Sequence, residues 1–342
     1  MKKAFSRLYM LGLLTGCFIK EDNSESKEVV NIYSARHYDV DKTILGNFEK
    51  ETGIKVNIIT DDAEKLIARL EREGKNSPCD VLITADASNL FKASAKGLVQ
   101  PLTMDDELSE VPFHLKNKNW VALTKRARII VYHPSEIPAD SLTTYEQLGH
   151  SFFKGKLLMR SSDNAYNRSL VASVLYYQGE EATSNWIKNM VSNFAQDPSG
   201  NDRDQVKAIA AGTGAVSVIN TYYLAQMCSS DDGVEVAAAN NVKWIFPNQQ
   251  TRGAHINITG ACISKHAPNA ANARKLISYL LKEKNQLMYA NINKEFPVIN
   301  DLTLQDSLLN AWVTMKYDTL SLTTLGSLNE KAMQLILSSG WK

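Results

Sequence analysis

The stretch that decides the fold runs Val29-Val-Asn-Ile-Tyr33-Ser34-Ala-Arg36-His37-Tyr38-Asp39. Its first five residues are β-branched or aromatic at alternate or adjacent positions, so they read as a strand. The next segment, Asp41 to Glu51, carries Ile44, Leu45 and Phe48 on one face at helical spacing, and Gly53 is placed to cap it. Ile54 to Ile59 then returns as a strand. A strand, a crossover helix and a second strand make a parallel unit, and the unit recurs. Ala63 to Gly74 is a helix facing inward through Leu66, Ile67 and Leu70, Asp80-Val-Leu-Ile-Thr84 is a buried type of strand, and a helix follows near Asn89 to Lys96. Alternation at this period predicts parallel sheets with helices on both faces.

A similar run follows Trp120. Ala127-Arg-Ile-Ile-Val-Tyr132 is a strand and a candidate crossing between two lobes. Ser169 to Gln178, Glu181 to Phe194 and Asp204 to Ala211 read as helices, Ala215 to Ile219 as a strand, and Thr221 opens another helix. Val242 to Phe246 is a strand, Ile256 to Ile263 is a candidate return crossing, and the tail from Asn269 reads as helical. The expectation is an α/β chain of two doubly wound lobes with crossing strands between them and a cleft at the strand ends. Its 342 residues suit two such lobes.

Bulk properties narrow the function. With a net charge of +1, nothing in the totals points to a surface built for nucleic acid or polyanions. Apolar content of 44% beside charged content of 22% is ordinary for a globular chain. The beginning is different. Lys2, Lys3 and Arg7 precede the short apolar run Leu8 to Leu14, and then come small residues and Cys17. This is a signal-peptide pattern, too short for the ~20 residues of a membrane-spanning helix. Leu14-Thr-Gly-Cys17 resembles a bacterial lipoprotein signal, which makes residues 1–16 the leader and Cys17 the acylated first mature residue; the plainer reading is a cleaved signal with an incidental cysteine. Residues 17–28 are mostly polar and charge-rich and read as a tether. Cys79, Cys228 and Cys262 fit no zinc spacing, and all three are expected to be small buried residues.

Ligands of open α/β sheets sit beyond the carboxyl ends of the strands. Three such junctions carry tyrosine: His37-Tyr38 after the first strand, Tyr166 within Arg160-Ser-Ser-Asp-Asn-Ala-Tyr166, and the pair Tyr222-Tyr223 within Asn220-Thr-Tyr-Tyr223. Any one of the 13 tyrosines is most simply a packed ring, and an adjacent pair also suits a contact between lobes or a platform for a sugar. The coincidence across junctions carries the signal. A phenol near pKa 10 gives a neutral ligand only a hydrogen bond. A highly charged cation stabilises the phenolate. Calcium and magnesium favour carboxylates, carbonyls and water, and zinc favours Cys, His and carboxylate. Ferric iron is the common ion for which tyrosinate is a good partner, and an exported two-lobed cleft points to capture rather than chemistry.

An ordered set of stretches then resembles one family. These are Ile32 to Tyr38, Glu64 to Leu70, Asp80 to Thr84, Leu123 to Tyr132, Arg160 to Asn167, Gly200 to Asp204, Asn220 to Tyr223, Phe246 to Gln249 and Arg252 to His255. Together they resemble bacterial ferric-iron-binding substrate-binding proteins of iron ABC importers, in the tyrosine-rich subgroup typified by cyanobacteria. The resemblance implies a type II periplasmic-binding-protein fold. It implies an N-terminal lobe of 29–127 plus about 254–300 and a C-terminal lobe of 128–253 plus about 301–342. It implies Tyr38 as the iron ligand of the first lobe with His37 as a candidate fifth donor, Tyr166, Tyr222 and Tyr223 as ligands of the second, and closure by a hinge. Tyr166 at its place implies that no borrowed anion is needed. Fe³⁺ would be the transported ligand, the permease and ATPase of an ABC importer the partners, and the carrier a monomer in the periplasm or on the outer face of the cytoplasmic membrane, touching the membrane only through an anchor on Cys17.

Four phenolates around Fe³⁺ leave a net −1, so nearby cations are expected, with Arg36, Arg128 and Arg203 as candidates and structural pairing as the competing role. Gln226 stands where many relatives carry arginine, which leaves the choice between Fe³⁺ and Fe²⁺ open. No P-loop, dinucleotide glycine fingerprint, Gly-x-Ser-x-Gly elbow or His-Glu-x-x-His occurs, so no enzyme is expected. The alternative function is the same fold binding an anion, a sugar or a polyamine.

Overall fold

A computed structural model describes residues 28–342 apart from 105, so the leader, Cys17 and all but the last residue of the tether lie outside the described residues. Among the described residues there are nine strands: β1 Val29–Ser34, β2 Lys55–Thr60, β3 Val81–Thr84, β4 Val99–Gln100, β5 Val121–Tyr132, β6 Leu157–Leu158, β7 Val216–Asn220, β8 Lys243–Ile245 and β9 Ile256–Ser264. The helices are α1 Asp39–Thr52, α2 Ala63–Glu73, α3 Ala87–Ala95, α4 Ala165–Gln178, α5 Glu180–Ser192, α6 Asp202–Ala210, α7 Thr221–Cys228, α8 Gly233–Asn240, α9 Ala270–Leu281, α10 Glu283–Asn293, α11 Ser307–Trp312 and α12 Leu322–Ser338.

The first unit forms as its pattern dictates. β1 pairs in parallel with β2 on one side and β3 on the other. Helix α1 buries Val40, Ile44, Leu45 and Phe48 on one face. It stops at Gly53, whose φ of 73° is left-handed and whose amide donates to the Glu49 carbonyl.

The strands run in the order β2-β1-β3-β9-β5-β7-β6, with β4 on β9 and β8 on β5. Parallel pairing holds for β1 with β2 and β3, and for β6 with β7. The long strands that cross between lobes are antiparallel instead: β9 to β3 and β5, and β5 to β7 and β8. The sheet is therefore mixed: parallel pairs occur within the lobes as expected, and the crossing strands add antiparallel ones. The reason is topological. A chain that passes into a second lobe and returns must lay its two crossing strands in opposite directions.

The crossing itself is sharp. Val121–Ala127 of β5 pairs with β9, whereas Arg128–Tyr132 pairs with β7. Both β5 and β9 are almost wholly buried. Gly260 in β9 is required by close approach, because a Cβ there would lie 2.5 Å from Leu90 and 2.9 Å from the Val121 carbonyl. Where the strands change partner, the Arg128 amide donates to the His255 carbonyl at 2.9 Å. The buried Tyr145 hydroxyl closes the same point. It donates to the Arg128 carbonyl at 2.5 Å and accepts from the His255 amide at 3.1 Å.

The tail departs from an all-helical reading. After α10 the chain is extended, and Phe296 bridges to Lys125 of β5; later Tyr317 bridges to Ala254 beside β9. These short pairings give a third passage along the crossing, and they are set by partners far away in sequence that helical periodicity does not report. Helix α12 then packs on α4 and α5 and also on α3. Gly326 lets it sit against Phe91, whose Cβ would lie 2.4 Å from an added Cβ. Cys79 and Cys262 are buried as expected, but Cys228 is exposed, because it ends α7 on a turn facing away from the packed side.

Candidate metal centre

Each junction tyrosine is placed by its helix start. Tyr38 is the residue that caps α1, with extended backbone at φ −79° and ψ 148°. Tyr166 is the second residue of α4. There the Asn164 side chain accepts from the amides of Tyr166 and Asn167 and fixes the first turn. Tyr222 and Tyr223 are the second and third residues of α7. Their rings lie side by side with centroids 4.1 Å apart and planes 32° apart. A strand-to-helix junction lets both phenols serve one space, which neither a strand nor a helix interior does.

The four phenols meet. Tyr38 is pushed up to about 12 by burial first, and then by the charge that Tyr166, Glu295 and Tyr223 would carry. Tyr222 is raised far above the usual phenol value, again by burial first and then by Tyr166, Tyr223 and Tyr38. Tyr223 is raised by burial and then by Tyr166 and Asp202. Phenols that oppose one another's ionisation in this way lie in one another's field. Tyr222 is 1% exposed, and its hydroxyl makes no hydrogen bond of ordinary geometry, although it lies near the hydroxyls of Tyr38 and Tyr223 and helps to stabilise charge on each of them. A buried, unsatisfied hydroxyl is costly by about 1–3 kcal/mol. It suits an oxygen that acquires a partner on ligand binding. Among the described residues there is no group of three or more His, Cys, Asp and Glu that could hold a metal.

Charge is built in behind the rings from both sides. In the first lobe the Arg36 guanidinium lies 4.9 Å from the Tyr38 ring centre. It is bound to Asp41 at 3.0 Å, Glu295 at 2.9 Å and the Thr259 hydroxyl at 2.6 Å. Arg126 shares Thr259 at 3.1 Å and Glu295 at 3.6 Å, donates to the Ala85 carbonyl, and places its guanidinium 5.0 Å from the centre of the Tyr166 ring. Burial alone would raise the Glu295 carboxyl, but Arg36 and Arg126 hold it below its ordinary value.

In the second lobe Asp202 is fully buried and takes Arg160 at 3.0 Å and Arg128 at 3.3 Å. It also accepts from the Asn220 amide at 2.7 Å, which pins the start of the segment that presents Tyr222 and Tyr223. Arg128 donates further to Asn167 at 3.1 Å and the Val218 carbonyl at 2.8 Å. Removing one partner from such a buried pair costs about 3–5 kcal/mol, so both networks keep their geometry.

The residues singled out in the sequence fall as follows. Tyr38, Tyr166, Tyr222 and Tyr223 come together. His37 is exposed and stacks beside Tyr38, with centroids 5.2 Å apart and planes 24° apart. Arg36 lies over Tyr38, and Arg203 lies 5.9 Å from the Tyr223 ring centre. Arg128 stands behind the phenols in its network with Asp202. Arg126, Glu295, Asp202 and Arg160 were not picked out. Arg126 was within reach, because it shares a strand face with Arg128 at a spacing of two. The carboxylates are brought in by long-range packing and carry no local signal.

Three comparisons relate the chain to known proteins. The family profile of bacterial extracellular solute-binding proteins matches residues 76–316. Iron uptake protein A1 of Synechocystis sp. is 40% identical over 94% of this chain and 89% of its own. A solved structure of Trichodesmium IdiA (FutA) with iron and citrate ligands is 40% identical, with a TM-score of 0.87 over 92% of this chain and 100% of that one. The ferric binding protein of Campylobacter jejuni is 38% identical, with a TM-score of 0.86 over 92% of this chain and 100% of its own. The two-lobed fold, the matched profile and relatives of this identity agree that the chain belongs to the bacterial extracellular solute-binding protein family.

Proposed function

We propose that this protein captures ferric iron outside the cytoplasm and delivers it to an ABC-type importer, with Tyr38, Tyr166, Tyr222 and Tyr223 as the ligands. It is a transport component and not an enzyme. The observation that carries the reading is the meeting of four phenols from both lobes around the unpartnered Tyr222 hydroxyl. The names of its relatives, iron uptake protein and ferric binding protein, point the same way.

In this reading an open cleft receives the ion on Tyr166, Tyr222 and Tyr223, and closing about β5 and β9 adds Tyr38, with His37 beside it as a fifth donor. The four phenols give up their protons. Arg36, Arg126 and Arg203 over the rings, and Arg128 behind them, offset the net −1 of four phenolates on Fe³⁺. The lobes divide at 29–127 with about 254–300, and 128–253 with about 301–342. The carrier acts as a monomer, tethered through an acylated Cys17.

Ferric loading tests the reading. Adding ferric citrate to the metal-free mature protein is expected to give a visible phenolate-to-iron band and one iron per chain by metal analysis. A protein that stays colourless and retains no iron would favour an anion, a sugar or a polyamine as ligand. The same loading with a non-coordinating iron source separates a site complete in phenols from one that needs a borrowed anion; the band is expected from both.

A further inference from the structure

The structure gives Gln226, on the helix that presents Tyr222 and Tyr223, a definite task. Gln226 lies on α7, in the lobe that carries Tyr222 and Tyr223, and its side-chain oxygen accepts from Arg203 at 2.6 Å. Its amide nitrogen points the other way. It donates to the backbone carbonyl of Asn293 at 2.9 Å and to the Asn293 side-chain oxygen at 3.2 Å. Asn293 ends α10, which packs on α1 and α9 in the lobe that carries Tyr38. The Asn293 amide nitrogen in turn donates to Glu295 at 2.7 Å, and a carboxylate that only accepts fixes which end of the amide faces Gln226. Glu295 holds Arg36, which lies over the Tyr38 ring. On the other side Arg203 binds Glu235 and lies over the Tyr223 ring. One continuous line of hydrogen bonds therefore joins Arg203 to Arg36, the two arginines that lie over the Tyr223 and Tyr38 rings, and Gln226 to Asn293 is its step between lobes.

We propose that Gln226 and Asn293 form a neutral latch that sets the closing equilibrium of the cleft and, through it, the rate of iron release. The proposal rests on the iron reading for the second effect only; the first needs no metal. Both arms of the Gln226 amide are used in the closed arrangement. A hinge motion that separates α7 from α10 breaks the Asn293 arm and spares the Arg203 arm. Being uncharged, the latch adds no cation to a site already lined by arginines, so it favours closure without altering the charge around the ion. Gln226 is a positioning residue: it acts on the lobes and does not touch the ion.

Two substitutions separate this role from simple support of Arg203. Gln226→Leu removes both arms. Gln226→Glu keeps an acceptor for Arg203 but sets a carboxylate against the two Asn293 oxygens, so it loses the arm between lobes. Small-angle X-ray scattering of the metal-free proteins is expected to show both variants more open than the wild type. Ferric release to a competing chelator is expected to quicken on the order of tenfold in the Leu variant, the size of two neutral hydrogen bonds, with the visible band of the loaded protein unmoved. Scattering unchanged in both variants would overturn the latch. Opening in the Leu variant alone would also overturn it, because Gln226 would then act through Arg203. A wild-type protein that never colours would refute the iron reading, and the metal-free scattering would still decide the latch.

Discussion

Lowering the pH from 7 to 6 should weaken ferric binding by several decades. The direction follows from the phenols. Tyr38 is pushed up to about 12, and Tyr222 and Tyr223 are also raised, chiefly by burial. All three are therefore protonated in the ion-free protein at neutral pH. A metal that binds phenolate must displace those protons, and each proton released makes affinity fall about tenfold per unit of falling pH. Four phenols set an upper bound of about ten-thousandfold per pH unit. Competition against a chelator with known protonation, at the two pH values, measures the slope. A change of less than tenfold would mean that at most one phenol is deprotonated on binding, and the tyrosinate site would fail. The same raised values act on the fold in the opposite range. Ion-free stability is intact below the unfolded phenol value near 10 and is lost as pH rises through the folded values.

Replacing Tyr222 by Phe should separate ligand loss from structural damage. The Tyr222 ring is buried beside Tyr223, and Phe keeps that packing. Its hydroxyl makes no hydrogen bond of ordinary geometry, so the ion-free variant should melt close to the wild-type temperature. Affinity should nonetheless fall roughly a hundredfold or more, since supporting groups around a metal already contribute ten- to hundredfold and a direct anionic donor contributes more. The visible band should weaken with it. Equal loss of affinity and of melting temperature would show Tyr222 to be a packing residue. Unchanged affinity would remove it from the ligand set.

The sequence was legible where the chemistry is local. The first β-α-β unit, the start of α7 at Thr221 and the three tyrosine junctions follow from periodicity, capping and strand ends. What stayed hidden depends on contacts between distant segments. The antiparallel sense of β5 and β9 is one case, because strands buried on both faces carry no mark of direction in their own residues. The extended passage around Phe296 is another, since its partner Lys125 lies far earlier in the chain. The site shows the same division. Tyrosines next to helix starts could be picked out by position, but Glu295 and Asp202 gain their meaning only from the arginines that the fold brings to them. Gln226 was visible as a departure in charge, and its second arm to Asn293 was not.

The most direct test is diffraction from crystals of the ferric-loaded protein, recorded on both sides of the iron absorption edge. The account predicts one strong anomalous peak in the cleft, within bonding distance of the hydroxyl oxygens of Tyr38, Tyr166, Tyr222 and Tyr223. A peak bound elsewhere, or a loaded crystal in which those four oxygens surround no metal, would contradict it.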